Sequence, residues 1–344
     1  MLAIYTTEQT ELWDKIVSSF EHYDTYWLSG YVKAFEIHGD GTPLLFFYED
    51  SDTRGINVVM KRDVSDFPCF SDKIEKNTVF DFSTPYGYGG WLIEGENTQK
   101  LFETYEKWCL DNNIISEFVR FHPIMKNHVE ALAYETVELG KTVAIDTSSP
   151  EVIWNNITSK NRNMIRKAQK SGVKIYSGRY PEIYKVFREI YNSTMDKDAA
   201  DEYYYFGEEF YESVLNDLPH NAQVFYAVLD EKIIAASIML FANGRMNYHL
   251  SGSIREYSNL APTNLLLYEA ALWGSANGYK SLYLGGGVGS GEDSLFKFKK
   301  AFYRGDDLNS FWIGKKIFNI EMYEKLVSLR DNIENAGFFP KYRG

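Results

Sequence analysis

Two mixed α/β domains in tandem are the fold that the sequence predicts, and three observations predict it. The chain has 344 residues, more than one hydrophobic core usually serves. Helical and strand-like hydrophobic periods alternate along its whole length, with no low-complexity linker. An internal repeat pairs LFETYEKWCLDNN with LLYEAALWGSANG, setting Leu101 on Leu266, Trp108 on Trp273 and Asn112 on Asn277. In both copies a proline-containing loop precedes the helix and an apolar strand follows it, ISEFVRF in the first and KSLYL in the second. The boundary is expected at AIDTSSPEVIW, where a strand ends and Ser149-Pro150 opens a helix, giving domains over 1–145 and 146–344.

Composition narrows the class. Hydrophobic content of 44%, with 26 Tyr and 23 Phe, is ample for burial, so the chain is expected to fold as a globular protein. Cys69 and Cys109 are the only cysteines, too few for a disulfide framework or a cysteine-based zinc site, and no metal site is expected. The start MLAIYTTEQTELW has no basic region followed by an apolar one, and a cytoplasmic protein is the expectation. The run IIAASIMLFANG, Ile233 to Gly244, is too short to span a membrane and reads as a buried strand pair. A net charge of −12 argues against broad nucleic-acid binding, DNA included, and leaves a polyanionic partner only a local patch.

That patch is found in the second half. Between Glu151 and Glu182 there is no acidic residue, while Lys160, Arg162, Arg166, Lys167, Lys170, Lys174 and Arg179 all fall there. Arg162, Arg166 and Lys170 recur every four residues, one ridge of a helix expected to end at Gly172, with Ile157, Ile165 and Ala168 facing inward. The ridge is either an anion site or a solvated face whose cations suit the helix dipole. The absence of interleaved carboxylates favours the anion site.

Further on, YLGGGVGSGEDSLFKFKKAF resembles a phosphate cradle but is not one. After Gly286 to Gly291 comes Glu292, where a P-loop requires lysine, and no register satisfies G-x-G-x-x-G. Glu292 and Asp293 suit the start of the next helix and would compete with a phosphate there. In DSLFKFKKAFY, a helical period gives an apolar face of Leu295, Phe298 and Phe302. Lys299 lies close to that face between Phe296 and Tyr303, with Lys297 and Lys300 pointing away. Such a lysine either extends to water along its hydrocarbon stem or has a buried task.

In the order WNNITSKNRNMIRKAQKSGVKIY, YHLSGS, LAPTNLLLYEAALWGSANGYKSLYLGGG and SLFKFKKAF, the second half resembles the FemAB-like proteins. These are tandem acyltransferases built from two GNAT-type domains. FDFSTPYGYGG and EFVRFHP are similar to the matching elements of the first domain, so the resemblance covers about residues 80–305. It implies two GNAT-like domains, each a mixed twisted sheet flanked by helices. It also implies N-acyl transfer to an amine of a cell-envelope or sugar precursor, with no tightly bound cofactor. The donor is acyl-CoA or aminoacyl-tRNA, so that the acceptor end of a tRNA is one candidate partner. The long coiled-coil arm of some aminoacyl transferases is missing.

With the resemblance, Lys299 is expected to stabilise the oxyanion formed when an amine attacks an acyl ester or thioester. Arg162, Arg166 and Lys170 are expected to hold a phosphate. Gly286 and Gly287 would let backbone approach the substrate closely. His249, on the strand with Ser251, is either a structural histidine or a base, and Tyr86 either lines a pocket or belongs to a glycine-rich turn. The turn REYSNLAPTNLL places Ser258, Asn259 and Pro262 where a CoA-binding turn would have glycines, whereas TPYGYGG in the first half does supply them. A catalytically silent module that keeps the fold to bind a nucleotide-linked glycan is the alternative.

Overall fold

A computed structural model of the chain describes residues 1–344 apart from 331, 332, 334 and 336. In chain order its elements begin with β1 (Leu2–Tyr5), α1 (Thr10–Ser18), α2 (Ser29–His38), β2 (Thr42–Glu49), β3 (Thr53–Asp63), β4 (Phe80–Ser83), β5 (Leu92–Gly95), α3 (Gln99–Asp111), β6 (Ile114–Arg120) and β7 (Glu135–Asp146). They continue with α4 (Pro150–Asn156), α5 (Ser159–Lys170), β8 (Lys174–Gly178), α6 (Pro181–Lys197), α7 (Glu208–Asp217), β9 (Ala222–Leu229), β10 (Lys232–Ala242) and β11 (Arg245–Ser253). The last are α8 (Pro262–Ala276), β12 (Ser281–Gly285), α9 (Ser294–Lys300), β13 (Asn309–Ile317) and α10 (Ile320–Ser328).

The chain divides into two compact units, one of Met1–Leu139 with Phe311–Gly344 and one of Gly140–Ser310. The C-terminal segment, expected in the second domain, therefore belongs to the first. The reason is strand pairing: β13 runs antiparallel to β6, Ile313 opposite Arg120 and Ile317 opposite Ser116. Tyr342 then packs beside Val64, Phe70 and Ile115.

Each unit repeats one plan. In the first, β1, β2, β3 and β4 are consecutive antiparallel neighbours, β6 lies parallel to β4, and β13 is antiparallel to β6. In the second, β8, β9, β10 and β11 are antiparallel, β12 is parallel to β11, and β7 is antiparallel to β12. The repeat read from sequence is a repeat of helix ends as well. Asn112 Nδ2 donates to the Trp108 carbonyl at 2.9 Å, and Asn277 Nδ2 donates to the Trp273 carbonyl at 2.8 Å, so α3 and α8 close with the same asparagine cap.

The core of the second unit lies between its sheet and α4, α5, α8 and α9, built from Ile153, Ile157, Ile165, Ala168, Met239, Leu266, Ala270, Leu282, Phe296 and Phe302. The run IIAASIMLFANG is corrected here: it is one strand, β10, not a pair, and its chain turns at Asn243-Gly244 into β11. A central strand covered on both faces has no polar side, so it reads as a continuous apolar run. On the opposite face α6 approaches β11 so closely that a Cβ on Gly252 would stand 2.8 Å from the Ile190 carbonyl oxygen.

Candidate active site

α5 forms because Thr158 caps it, its hydroxyl accepting from the Asn161 amide, and it ends where Gly172 adopts φ +84°. Ile157, Ile165 and Ala168 are fully buried, as their spacing predicts. Arg162 is half-buried, while Arg166 and Lys170 are exposed. The Arg162 and Arg166 guanidinium carbons lie 5.8 and 5.1 Å from the centroid of the Trp154 ring. One indole thus holds two cations side by side. The start of α5 is also tied to the end of α9, since the Thr158 amide donates to the Ala301 carbonyl at 3.0 Å. Asn161, 2% exposed, accepts from Asn264 Nδ2 at 2.7 Å and joins α5 to the first turn of α8.

A second feature is the edge between β11 and β12. The strands pair only from Arg245 with Ser281 to Asn247 with Tyr283, after which pairing stops although both strands continue. On β11, Ile238 faces Leu250 and Met239 faces Tyr248, so His249 is the extra residue of a β-bulge. The bulge turns Tyr248 and Ser251 to one side: the Ser237 hydroxyl donates to Ser251 Oγ at 2.8 Å, and both serines hydrogen-bond to the Tyr248 hydroxyl. Burial pushes the His249 imidazole down to about 3, so it is neutral at physiological pH.

Just past β12, Lys299 Nζ donates to the Gly286 carbonyl at 2.7 Å. Lys299 is 8% exposed, and burial pushes its ammonium down to about 8, with the Asp293 carboxylate opposing the shift. Asp293 also organises the loop. Its Oδ1 caps α9 by accepting from the Phe296 amide at 2.8 Å, and its Oδ2 accepts from the Val288 amide at 3.0 Å. Gly287 has no room for a side chain, because a Cβ would collide with the Gly291 carbonyl and the Asp293 carboxylate. The apolar face expected for this segment needs correction. Leu295 is 37% exposed, and the buried positions are Phe296, Lys299 and Phe302. α9 stops at Lys300, so it is a short helix whose inward side is set by the Asp293 cap.

Lys299, Gly286 and Gly287 are therefore brought together, and His249 and Ser251 lie on the strand edge that opens beside β12. Arg162, Arg166 and Lys170 share the neighbouring helix. Asp293, Trp154 and Asn161 escaped sequence reasoning as site residues. Asp293 was legible as a helix start, but its grip on Val288 depends on the loop's path.

Tyr86 belongs to the first unit, where it stacks on Phe35 at 5.5 Å and its carbonyl accepts from the Tyr31 hydroxyl. The glycines of TPYGYGG serve packing: Cβ atoms at Gly89 and Gly90 would meet Thr84 and Val119 at 2.8 Å. The Gly89 amide is taken by the Arg120 carbonyl at 2.8 Å, so it is not a free donor. In this unit the parallel strand β6 carries Glu117, buried and bound by Asn57, Tyr105 and Tyr134 at 2.9, 3.0 and 2.6 Å.

Residues 159–300 match the Acetyltransferase (GNAT) domain family. The match contains α5, the β11 bulge, the glycine loop and Lys299. The whole fold is similar to that of FemX, at 13% identity, a TM-score of 0.68, and coverage of 94% of this chain and 99% of FemX. It is also similar to a conserved protein of unknown function from Bacteroides thetaiotaomicron, at 10% identity, a TM-score of 0.59, and coverage of 92% and 100%. A third similar structure is the C-terminal domain (DUF2156) of a candidate lysylphosphatidylglycerol synthetase from Agrobacterium fabrum, at 12% identity, a TM-score of 0.57, and 92% of each chain. These likenesses of fold span both units. Comparison with curated protein sequences gives no match. Among the described residues no helix is long and apolar enough to cross a membrane.

Proposed function

We propose that the protein is an N-acyltransferase that moves an acyl or aminoacyl group onto an amine of a cell-envelope or sugar precursor. The reading rests chiefly on Lys299, a buried ammonium held by the Gly286 carbonyl beside an unpaired strand edge. The acceptor amine attacks the acyl carbonyl, the C–N bond forms, and negative charge collects on the carbonyl oxygen. Lys299 donates to that oxyanion. Collapse breaks the C–S or C–O bond, and the leaving group takes up a proton while the amine loses one. Direct attack needs positioning, a proton acceptor and an oxyanion donor, and no enzyme nucleophile. His249 with a pKa of about 3 is a poor proton acceptor, which favours its structural role. Arg162 and Arg166, fixed over Trp154, hold a phosphate of donor or acceptor.

The donor is acyl-CoA or aminoacyl-tRNA, used as a substrate. The deciding experiment incubates the protein with mixed acyl-CoAs, charged tRNA and amine-bearing envelope precursors and follows products by mass spectrometry. An amide product from wild type that is lost in Lys299→Met supports the reading. Ligand binding without any acyl product overturns it and leaves a silent glycan-binding module.

A further inference from the structure

α5 carries more positive charge than one phosphate over Trp154 can use. Its inward side is Asn161, Ile165 and Ala168, all buried. With successive residues turned by roughly 100°, Arg166 and Lys170 lie opposite that side, Arg162 on one flank, and Lys160 and Lys167 on the other. Lys160, Arg166, Lys167 and Lys170 are exposed, and so are the uncharged Ser159, Asn163 and Gln169 among them. No acidic residue occurs from Val152 to Pro181. α8 and the turn Arg255–Leu260, which pack against α5, bring the carboxylates Glu269 and Glu256. Neither pairs with it: among the described residues, Lys160, Arg162, Arg166, Lys167 and Lys170 make no ion pair.

The helix itself gains nothing from this pattern. Lys167 and Lys170 lie in the last turn, where cations suit the negative end of the helix dipole. Lys160 does not: it lies in the first turn, which has no acidic residue and where a cation is unfavourable. Arg162, Arg166 and Lys170 follow one another at four-residue spacing, and like charges so placed repel. Carboxylates interleaved with the cations would stabilise α5 better. The charge is therefore kept although it weakens the helix, which points to a partner outside the chain.

We propose that the outward face of α5 docks on a bilayer surface bearing anionic phospholipid headgroups. The helix has 12 residues and is about 18 Å long. Lying along the surface, it sets Arg166 and Lys170 directly on the headgroups, while Lys160 and Lys167 reach them from the flank on their long stems. Its apolar side is buried in the core of the unit, so the attraction is electrostatic. Lysine is a compact point charge without the fixed fork of arginine, which suits a fluid layer of headgroups. Single-stranded nucleic acid fits the face less well, because such binding stacks bases on aromatic rings and α5 has none. Lys160 and Lys167 lie on the opposite flank from Arg162, so the surface rests on side chains other than the phosphate pair over Trp154, and its test does not require acyl transfer.

Co-sedimentation of the full chain with phosphatidylcholine vesicles, with and without phosphatidylglycerol, tests the surface. Binding is expected only to the anionic vesicles, and it should fall steeply as salt is raised. Lys160→Glu combined with Lys167→Glu should lower partitioning by about tenfold or more. Lys15→Glu combined with Lys107→Glu makes the same change in net charge at exposed lysines of the first unit and should lower it by about twofold or less. Lys160→Glu alone puts an acid at the positive end of α5, so Tm should stay level or rise while vesicle binding falls. Equal binding to uncharged vesicles, or equal losses in the two charge-matched pairs, would overturn the proposal. So would tRNA binding more tightly than the anionic vesicles, or a lower Tm in Lys160→Glu.

Discussion

The Lys299 ammonium donates to the Gly286 carbonyl at 2.7 Å, which fixes a buried cation one residue beyond the end of β12. A single carbonyl dipole does not offset the loss of water around an ammonium, so burial still lowers its pKa to about 8. The group remains mainly protonated at neutral pH and can still donate to an oxyanion.

Lys299→Met should lower turnover by about two to three orders of magnitude, the usual effect of removing an oxyanion donor, while Lys297→Met on the exposed side leaves it near normal. Steady-state kinetics of the two variants, with circular dichroism to verify folding, checks this. Near-normal turnover in Lys299→Met ends the catalytic assignment.

The same lysine sets two pH dependences. Its folded pKa of about 8 lies below the ordinary 10.5, so between these values the unfolded chain binds the proton and the folded chain does not. Stability attributable to this group therefore rises with pH across that window. Lys299→Met should accordingly be more stable than wild type at pH 7, with the difference shrinking as pH rises towards 10.5. Turnover limited by the ammonium should fall as pH rises through about 8. Thermal melts and rates at matched pH values measure both, and a rate that stays level above pH 8 would count against the ammonium as donor.

Asp293 opposes the lowering of the Lys299 pKa and ties the Val288 amide to the start of α9. Asp293→Asn should keep much of the cap but remove the charge, moving the alkaline limb of the pH–rate profile to lower pH with a small change in Tm. Asp293→Ala should produce the same shift together with a larger drop in Tm. An unmoved limb in both variants would show that the carboxylate does not act on Lys299.

Arg166→Ala should weaken binding of a phosphate-bearing ligand by about 1 to 3 kcal/mol while changing Tm little, since Arg166 is exposed and its ring contact is with Trp154. Calorimetric titration with the donor or acceptor found by mass spectrometry is the measurement, and unchanged affinity would remove Arg166 from the site.

Free CoA should bind weakly, in the high-micromolar range or above, about −5 kcal/mol. Pro262 lacks an amide proton, and the Ala261 amide is already taken by the Ser258 carbonyl at 3.1 Å, so the first turn of α8 presents few free donors. A titration giving low-micromolar affinity would identify an ordinary acyl-CoA site.

The sequence by itself determined what short-range periodicity can encode. Ile157, Ile165 and Ala168 are buried where the helical period sets them, Gly172 ends α5, Ser149-Pro150 starts α4, and Trp108-Asn112 and Trp273-Asn277 end matched helices. Each depends on neighbours within a few residues, so the pattern survives in one dimension. Only the tertiary structure decided the rest. β13 pairs with β6 and so joins the first unit, because strand edges offer the same backbone groups to any partner and sequence does not name one. Leu295 is exposed and Phe296 buried because the Asp293 cap and the early end of α9 fix the helix's rotation. Arg162 and Arg166 meet on Trp154 of the preceding helix, and Lys299 meets a carbonyl 13 residues earlier in the chain. Those contacts exist only once the loops between have closed, and loop closure is decided by the packing of the whole unit.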